Sequence, residues 1–180
     1  MRIRRILAPT DLSINSISGI ACALSLSRDH DAEIILFHVT SFPKPPLSSL
    51  CEAECFPFGD PVFLPPSVDR VLQEADARLN AFVSASLGDI LAEYRRRTHV
   101  SLGPVSREIV NAALSEQVDL IVMAKRRRGF LPRLFSPSIS EQVSRSAPCP
   151  VLSVCPPQIA RPTEGKQRSD IKGILRSVEA

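Results

Sequence analysis

Residues 119–155, DLIVMAKRRRGFLPRLFSPSISEQVSRSAPCPVLSVC, gather the groups in this chain best suited to hold an anion. An apolar run, Leu120–Ala124, feeds four consecutive cations, Lys125, Arg126, Arg127 and Arg128, and Arg133 follows closely. A helix start comes next. Ser136-Pro137 places proline where a first helical residue tolerates it, and Ser138-x-x-Glu141 offers an alternative start as a capping box. A strand that delivers a loop onto a helix N-terminus is how α/β folds hold phosphate, because unpaired N–H groups and the helix dipole face the anion. Glycines usually build such a loop, since they let bare backbone approach the phosphate and reach positive φ without penalty. They are mostly missing here.

Other chemistry is sparse. There is no G-x-S-x-G elbow and no H-E-x-x-H. Asp11 could face a ribose or a metal, but alone it supplies no acid–base pair. His38 sits within an apolar strand pattern and reads as a hydrogen-bonded core residue. His30, between Asp29 and Asp31, is expected at an exposed turn. The five cysteines are an odd number without a disulfide framework. Cys22 reads as a small apolar residue in a helix, and Cys149 and Cys155 flank a strand taken as buried. Cys51 and Cys55 form a lone C-x3-C. A zinc site needs about four ligands, so no metal site and no catalytic residue is expected.

The composition sets the frame. At 180 residues and 44% apolar content, the chain can bury a real core in one domain. No apolar run nears the roughly 18 residues of a membrane span. The basic start MRIRRILAPTD meets Pro9 after Ile6–Ala8, too soon for a signal peptide, and a cytoplasmic location is expected. The net charge is only +3. The cations are concentrated in Lys125–Arg128, where they would attract an anionic ligand locally.

The elements that must position these groups follow from periodicity. Residues 2–9 read as a strand, and Ile14–Leu26 as a helix with Asp11 or Ser13 as its cap. Residues 33–39, EIILFHV, are continuously apolar, as in a parallel strand buried on both faces. Residues 41–67 hold seven prolines and read as an insertion loop, either a lid or a dimer contact. Residues 68–97 step by three and four, from Val68 through Val71, Ala75, Leu79, Val83, Leu87, Ile90 and Leu91 to Tyr94. That rhythm predicts one long helix with Arg95, Arg96 and Arg97 in its last turn. A strand at Thr98–Leu102, a helix from Arg107 to Glu116 capped by Ser106, a strand at Val118–Met123, a helix to Arg145 and a strand at Val151–Val154 complete the domain. It is expected to span residues 1–157, with 158–180 as a flexible tail carrying a short helix near Ile171–Val178. Alternating strands and helices imply a doubly wound parallel α/β sheet. Ligands in such sheets sit at the carboxyl ends of the strands, where the winding reverses.

RRILAPTDLS at the start, EIILFHV in the second strand, and VDLIVMA followed by SAPCPVLSV near the end together resemble the universal stress protein family over residues 2–155. The resemblance implies a Rossmann-like, adenine-nucleotide alpha hydrolase-like sheet of five parallel strands in the order 3-2-1-4-5. It also implies a homodimer that pairs its last strands, here through Val151, Leu152 and Val154. Nucleotide-binding members carry G-x2-G-x9-G-S/T after the fourth strand. On this sequence those positions fall on Ala124, Arg127, Pro137 and Ser138, and only Ser138 matches. Asp11 keeps the carboxylate that lies beside the nucleoside in such members, and Val39 keeps the position whose backbone meets the adenine edge. Pro9, Asp11, Val39, Ala124, Arg127 and Ser138 are therefore the candidate binding residues.

Arg127 puts a long side chain where bare backbone should cradle phosphate, and Pro137 removes an N–H donor. The leading expectation is a non-enzymatic, homodimeric stress-response regulator with a degenerate nucleotide site and no cofactor. One alternative binds ATP or AMP, with guanidinium forks of Arg126–Arg128 and Arg133 in place of glycines. Another is a basic-loop module for RNA or a different polyanion, with Phe130 and Phe135 as its stacking candidates.

Overall fold

Short runs rich in Ile, Leu and Val become the strands, and their alternate residues feed two separate apolar layers. The computed structural model describes residues 2–42, 66–125 and 138–155. The strands are β1 (Arg5–Pro9), β2 (Glu33–Thr40), β3 (Arg96–Leu102), β4 (Leu120–Ala124) and β5 (Val151–Val154). The helices are α1 (Ile17–His30), α2 (Val68–Leu87), α3 (Val105–Ser115) and α4 (Ile139–Ser146), with 3-10 turns at Ile14–Ser16 and Gly88–Glu93. The strands pair in parallel in the order β3-β2-β1-β4-β5, the doubly wound arrangement anticipated above.

One sheet face sends Ile6, Ala8, Ile34, Leu36 and Val122 against Ile20 and Leu24 of α1 and Leu79 and Val83 of α2. The other sends Leu7, Ile35, Phe37, Ile121 and Met123 against Ile109 and Ala113 of α3 and Val143 of α4. The split follows from the two-residue period of a strand. Each fully buried aliphatic side chain stabilises the fold by about 1.5–3 kcal/mol.

Several sequence expectations are corrected. The helix from residue 68 does not reach 97. Gly88 takes φ 38°, its N–H bonds to Val83, and the α-helix ends at Leu87. The apolar rhythm continues past this break because Leu91 is still buried, from a 3-10 turn. Val68 and Ile90, counted in the stripe, are exposed. Arg96 and Arg97 lie in β3 rather than in a helical turn, since the backbone pairs with β2 from the Ile34 N–H to Arg95 carbonyl bond onward. Pro104, not Ser106, is the N-cap of α3. The Ser106 hydroxyl instead donates to Gln142 Oε1 at 2.8 Å and ties α3 to α4. β5 is a half-exposed edge strand rather than a buried one. His38 is a buried, hydrogen-bonded residue as read from sequence, and His30 is exposed. Cys22 and Cys149 are half-buried free thiols, both pushed up in pKa by burial, and Cys155 is exposed. Most of the 41–67 loop, Cys51 and Cys55, Arg126–Pro137 and the tail beyond Cys155 lie outside the described residues.

The arginine misplaced by periodicity anchors an ion network. Arg97 donates to Glu116 Oε1 at 3.0 Å, holds its second oxygen as well, and reaches Glu33 at 3.2 Å. His99 lies 3.3 Å from the same Glu116 carboxylate, and Arg5 donates to the Glu116 carbonyl at 2.7 Å. The hydrogen bonds from Arg97 hold the Glu116 carboxyl below its usual range, against partial desolvation and with a smaller contribution from His99. A depressed folded-state pKa adds stability that is present above the unfolded value of about 4.3 and is lost as pH falls through the folded value. Arg97 is 37% exposed, so solvent screening limits the pair to about 1 kcal/mol. Glu116→Gln is expected to lower the melting temperature by roughly 2–4 °C at pH 7. The gap should narrow progressively as pH falls below about 4, because the parent carboxylate then protonates. Melts at pH 7 and pH 3 check this, and a gap that persists unchanged would remove the ion pair as its cause.

Candidate functional site

The winding of the sheet reverses between β1 and β4, and there the carboxyl ends of β1, β2 and β4 open into a cleft of about 390 Å³. One wall is apolar. Phe37 and Val39 project from the same face of β2, Met123 from β4 and Ile109 from α3, while Val105 and Ile139 stand half-exposed at the mouth. The lip that follows β1 is polar, formed after Pro9 by Thr10, Asp11, Asn15 and Ser16.

The lip is built by a hydroxyl relay. The Thr10 N–H donates to the Phe37 carbonyl at 2.8 Å, which fixes the exit of β1 against β2. The buried Thr10 and Ser16 hydroxyls meet at 2.7 Å. Ser16 Oγ donates to the Ser13 carbonyl at 2.7 Å, so Thr10 is the donor to Ser16, and Thr10 Oγ1 in turn accepts the Leu12 N–H at 3.1 Å. Ser13 sends its N–H (3.1 Å) and its hydroxyl (2.5 Å) to Asp11 Oδ1. Beneath the loop, His38 Nδ1 lies 2.9 Å from the Thr10 carbonyl. A carbonyl only accepts, so Nδ1 carries the proton. Leu12 sits at φ 59°, a left-handed conformation that costs a branched residue about 1–3 kcal/mol and persists only where neighbours hold it.

The floor depends on one glycine. A Cβ added to Gly19 of α1 would stand 2.7 Å from the Ala124 nitrogen and 3.1 Å from the Met123 carbonyl carbon. Bare backbone is what lets α1 lie against the end of β4. Beyond the cleft, α4 opens with the full capping box. The Glu141 N–H donates to Ser138 Oγ at 3.3 Å, and the Ser138 N–H donates to Glu141 Oε2 at 3.0 Å.

Of the candidate residues read from sequence, Pro9, Asp11, Val39 and Ala124 converge on the cleft. Ser138 adjoins it through Ile139, with its hydroxyl engaged in the cap. Arg127 lies outside the described residues, as do Arg126, Arg128, Arg133 and Pro137; Lys125 is exposed at the end of β4. Sequence reasoning missed Thr10, Asn15, Ser16, Phe37, Val105, Ile109, Met123 and Ile139, and it assigned His38 to the core without its place beside the cleft. Two signals were available. Thr10, Ser13 and Ser16 repeat a hydroxyl every third residue after β1, and Phe37 shares its strand face with Val39. Among the described residues, no cluster of three or more His, Cys, Asp or Glu is close enough to hold a metal ion, and no helix is long and apolar enough to cross a membrane.

A parallel sheet ordered 3-2-1-4-5 with a cleft at its switch point defines a Rossmann-like α/β protein. The universal stress protein family model matches residues 60–154, and the chain belongs to that family. It is 29% identical over 151 residues to a Thermus aquaticus universal stress protein encoded in the 3' region of QAH/OAS sulfhydrylase, covering 84% of this chain and 98% of that one. It is 27% identical over 157 residues to universal stress protein MJ0531 of Methanocaldococcus jannaschii, covering 86% and 84%. Among solved structures, UspA from Lactobacillus plantarum superposes with a TM-score of 0.59 at 20% identity, over 86% of this chain and 99% of that chain. A universal stress protein in complex with cAMP superposes with a TM-score of 0.54 at 18% identity, over 87% and 99%. At these identities the structural likeness speaks for the fold.

Proposed function

We propose that this chain is a regulatory binding protein of the universal stress class, a cytoplasmic homodimer whose cleft accepts the nucleoside end of an adenine nucleotide without the glycine cradle for a triphosphate. The observation that carries the reading is the two-sided cleft. Phe37, Val39, Ile109 and Met123 suit a flat heterocycle, and the polar lip of Asp11 and hydroxyls suits a sugar. The cAMP complex of a protein with the same fold supports an adenine ligand. Against a gripped triphosphate stand Ala124, Arg127 and Pro137 at the glycine positions. The Ser138 N–H and hydroxyl are already committed to Glu141. Among the described residues lining the cleft, Asp11 is the one formal charge, and it is negative.

The dimer reading rests on the β5 edge. The Pro150 and Val154 carbonyls accept from Ile121 and Lys125 on β4. By the alternation of a parallel ladder, the N–H and C=O groups of Val151 and Ser153 point away from the sheet, beside a Leu152 that is 40% exposed. A second copy can pair with them.

Melting in the presence of adenosine, AMP and ATP tests the ligand. At ten times Kd each should add about 1.4 kcal/mol and raise the melting temperature by roughly 3–6 °C. Affinities for adenosine and ATP should be similar, and both should fall by about 10- to 100-fold in Asp11→Ala, so that most of the rise disappears at the same concentration. A strong preference for ATP would instead favour phosphate held by the loop arginines, and no rise with any of the three would sink the reading. Light scattering at tens of micromolar should give twice the chain mass, and Ser153→Pro, which removes an outward N–H only, should give a monomer.

A further inference from the structure

We infer that Ser13 is a positioning residue that holds the Asp11 carboxylate by one oxygen so that the other is presented to the vicinal hydroxyls of a ribose. This rests on the nucleoside reading of the cleft and specifies how that cleft would recognise its ligand.

Both donors of Ser13, the N–H and the hydroxyl, end on the same atom, Asp11 Oδ1. Among the described residues no donor reaches Oδ2. Asp11 is exposed, and an exposed carboxylate ordinarily samples several rotamers, so two hydrogen bonds from a neighbour two residues away restrict it at a site that borders the cleft. Ser13 is itself held from behind, because its carbonyl accepts from both the N–H (3.0 Å) and the hydroxyl (2.7 Å) of buried Ser16. The residue between Asp11 and Ser13 is Leu12, whose left-handed backbone brings the Ser13 N–H and hydroxyl back onto the Asp11 side chain. Strain of this kind concentrates where a binding group must be held ready. An ionised carboxylate only accepts. Its free oxygen therefore calls for a hydroxyl-bearing ligand, and two adjacent hydroxyls satisfy its remaining lone pairs best.

Calorimetric titration of the full chain with adenosine and with 2',3'-dideoxyadenosine tests this. Ser13→Ala should weaken adenosine by roughly 3- to 10-fold, the effect of releasing one ordered side chain, and leave dideoxyadenosine unchanged. Ser13→Thr, which keeps both donors, should restore adenosine. Asp11→Ala should weaken adenosine by about 10- to 100-fold, as loss of charge-assisted hydrogen bonds does, and adding Ser13→Ala to it should change nothing more. An equal loss for both ligands in Ser13→Ala, or no loss at all, overturns the inference. Carboxyl 13C relaxation reads the positioning without ligand: Asp11 should be ordered in the parent and mobile in Ser13→Ala, and equal order in both overturns the role of Ser13 by itself. A parent chain that binds neither nucleoside overturns the reading of the cleft and, with it, the sugar contact assigned to Asp11.

Discussion

Phe37→Ala is expected to cost about 3–5 kcal/mol of stability, the range for emptying a fully packed aromatic site, and to lower the melting temperature on the order of 10 °C. Phe37 is 1% exposed on β2, which is bonded to neighbours on both sides. Its ring meets His99 edge-on, with centroids 5.3 Å apart and planes at 87°, a geometry that adds to burial. It also forms part of the cleft wall, so on the nucleoside reading the variant should lose adenosine affinity together with stability. Phe37→Leu keeps most of the volume and should cost less than half as much. Urea and thermal melts of both variants check the pair. A loss under about 1 kcal/mol in the alanine variant would mean that the α3 layer closes over the gap.

Gly19→Ala is the second large effect. A methyl group normally suits a helix interior better than glycine, by about 1 kcal/mol. Here it would stand 2.7 Å from a backbone nitrogen of β4, and backbone cannot swing aside as a side chain can. Overpacking should win, with a net loss of about 1–3 kcal/mol. The displaced atom belongs to Ala124, which lines the cleft, so on the nucleoside reading adenosine affinity should fall as well. Alanine introduced at an exposed helix position, such as Ser84→Ala in α2, should show no such loss. If Gly19→Ala proved as stable as the parent by thermal melt, the close approach of α1 to β4 would be wrong.

Much of the sheet was legible because its strands are continuous apolar runs that no helical stripe resembles. EIILFHV and VLSV were placed to within a residue, and Ser138-x-x-Glu141 marked a helix start that the capping box bears out. The segment around Gly88 was not legible. Ile90, Leu91 and Tyr94 keep the three-and-four rhythm, and that rhythm outweighed the one local stop signal, Gly88, where the backbone turns to positive φ and leaves the helix. Arg97 was misread for the same reason. Its partners Glu33 and Glu116 are distant in sequence, so only tertiary pairing could place it. In the site, motif positions led to Pro9, Asp11, Val39 and Ala124. The apolar wall from Val105, Ile109 and Ile139 depended on which helices cover that face, which strand patterns alone do not give.

The two margins of the sheet differ in character. β3 presents Arg96, Arg97, Thr98, His99 and Ser101 along its length, whereas β5 presents Val151, Leu152, Ser153 and Val154. Charge along a margin discourages another chain from docking there. On the dimer reading, a molecule with one adhesive rim cannot grow into a ribbon: when two rims meet back to back both are consumed, the guanidinium-studded rims face outward, and assembly ends at a closed pair instead of a filament.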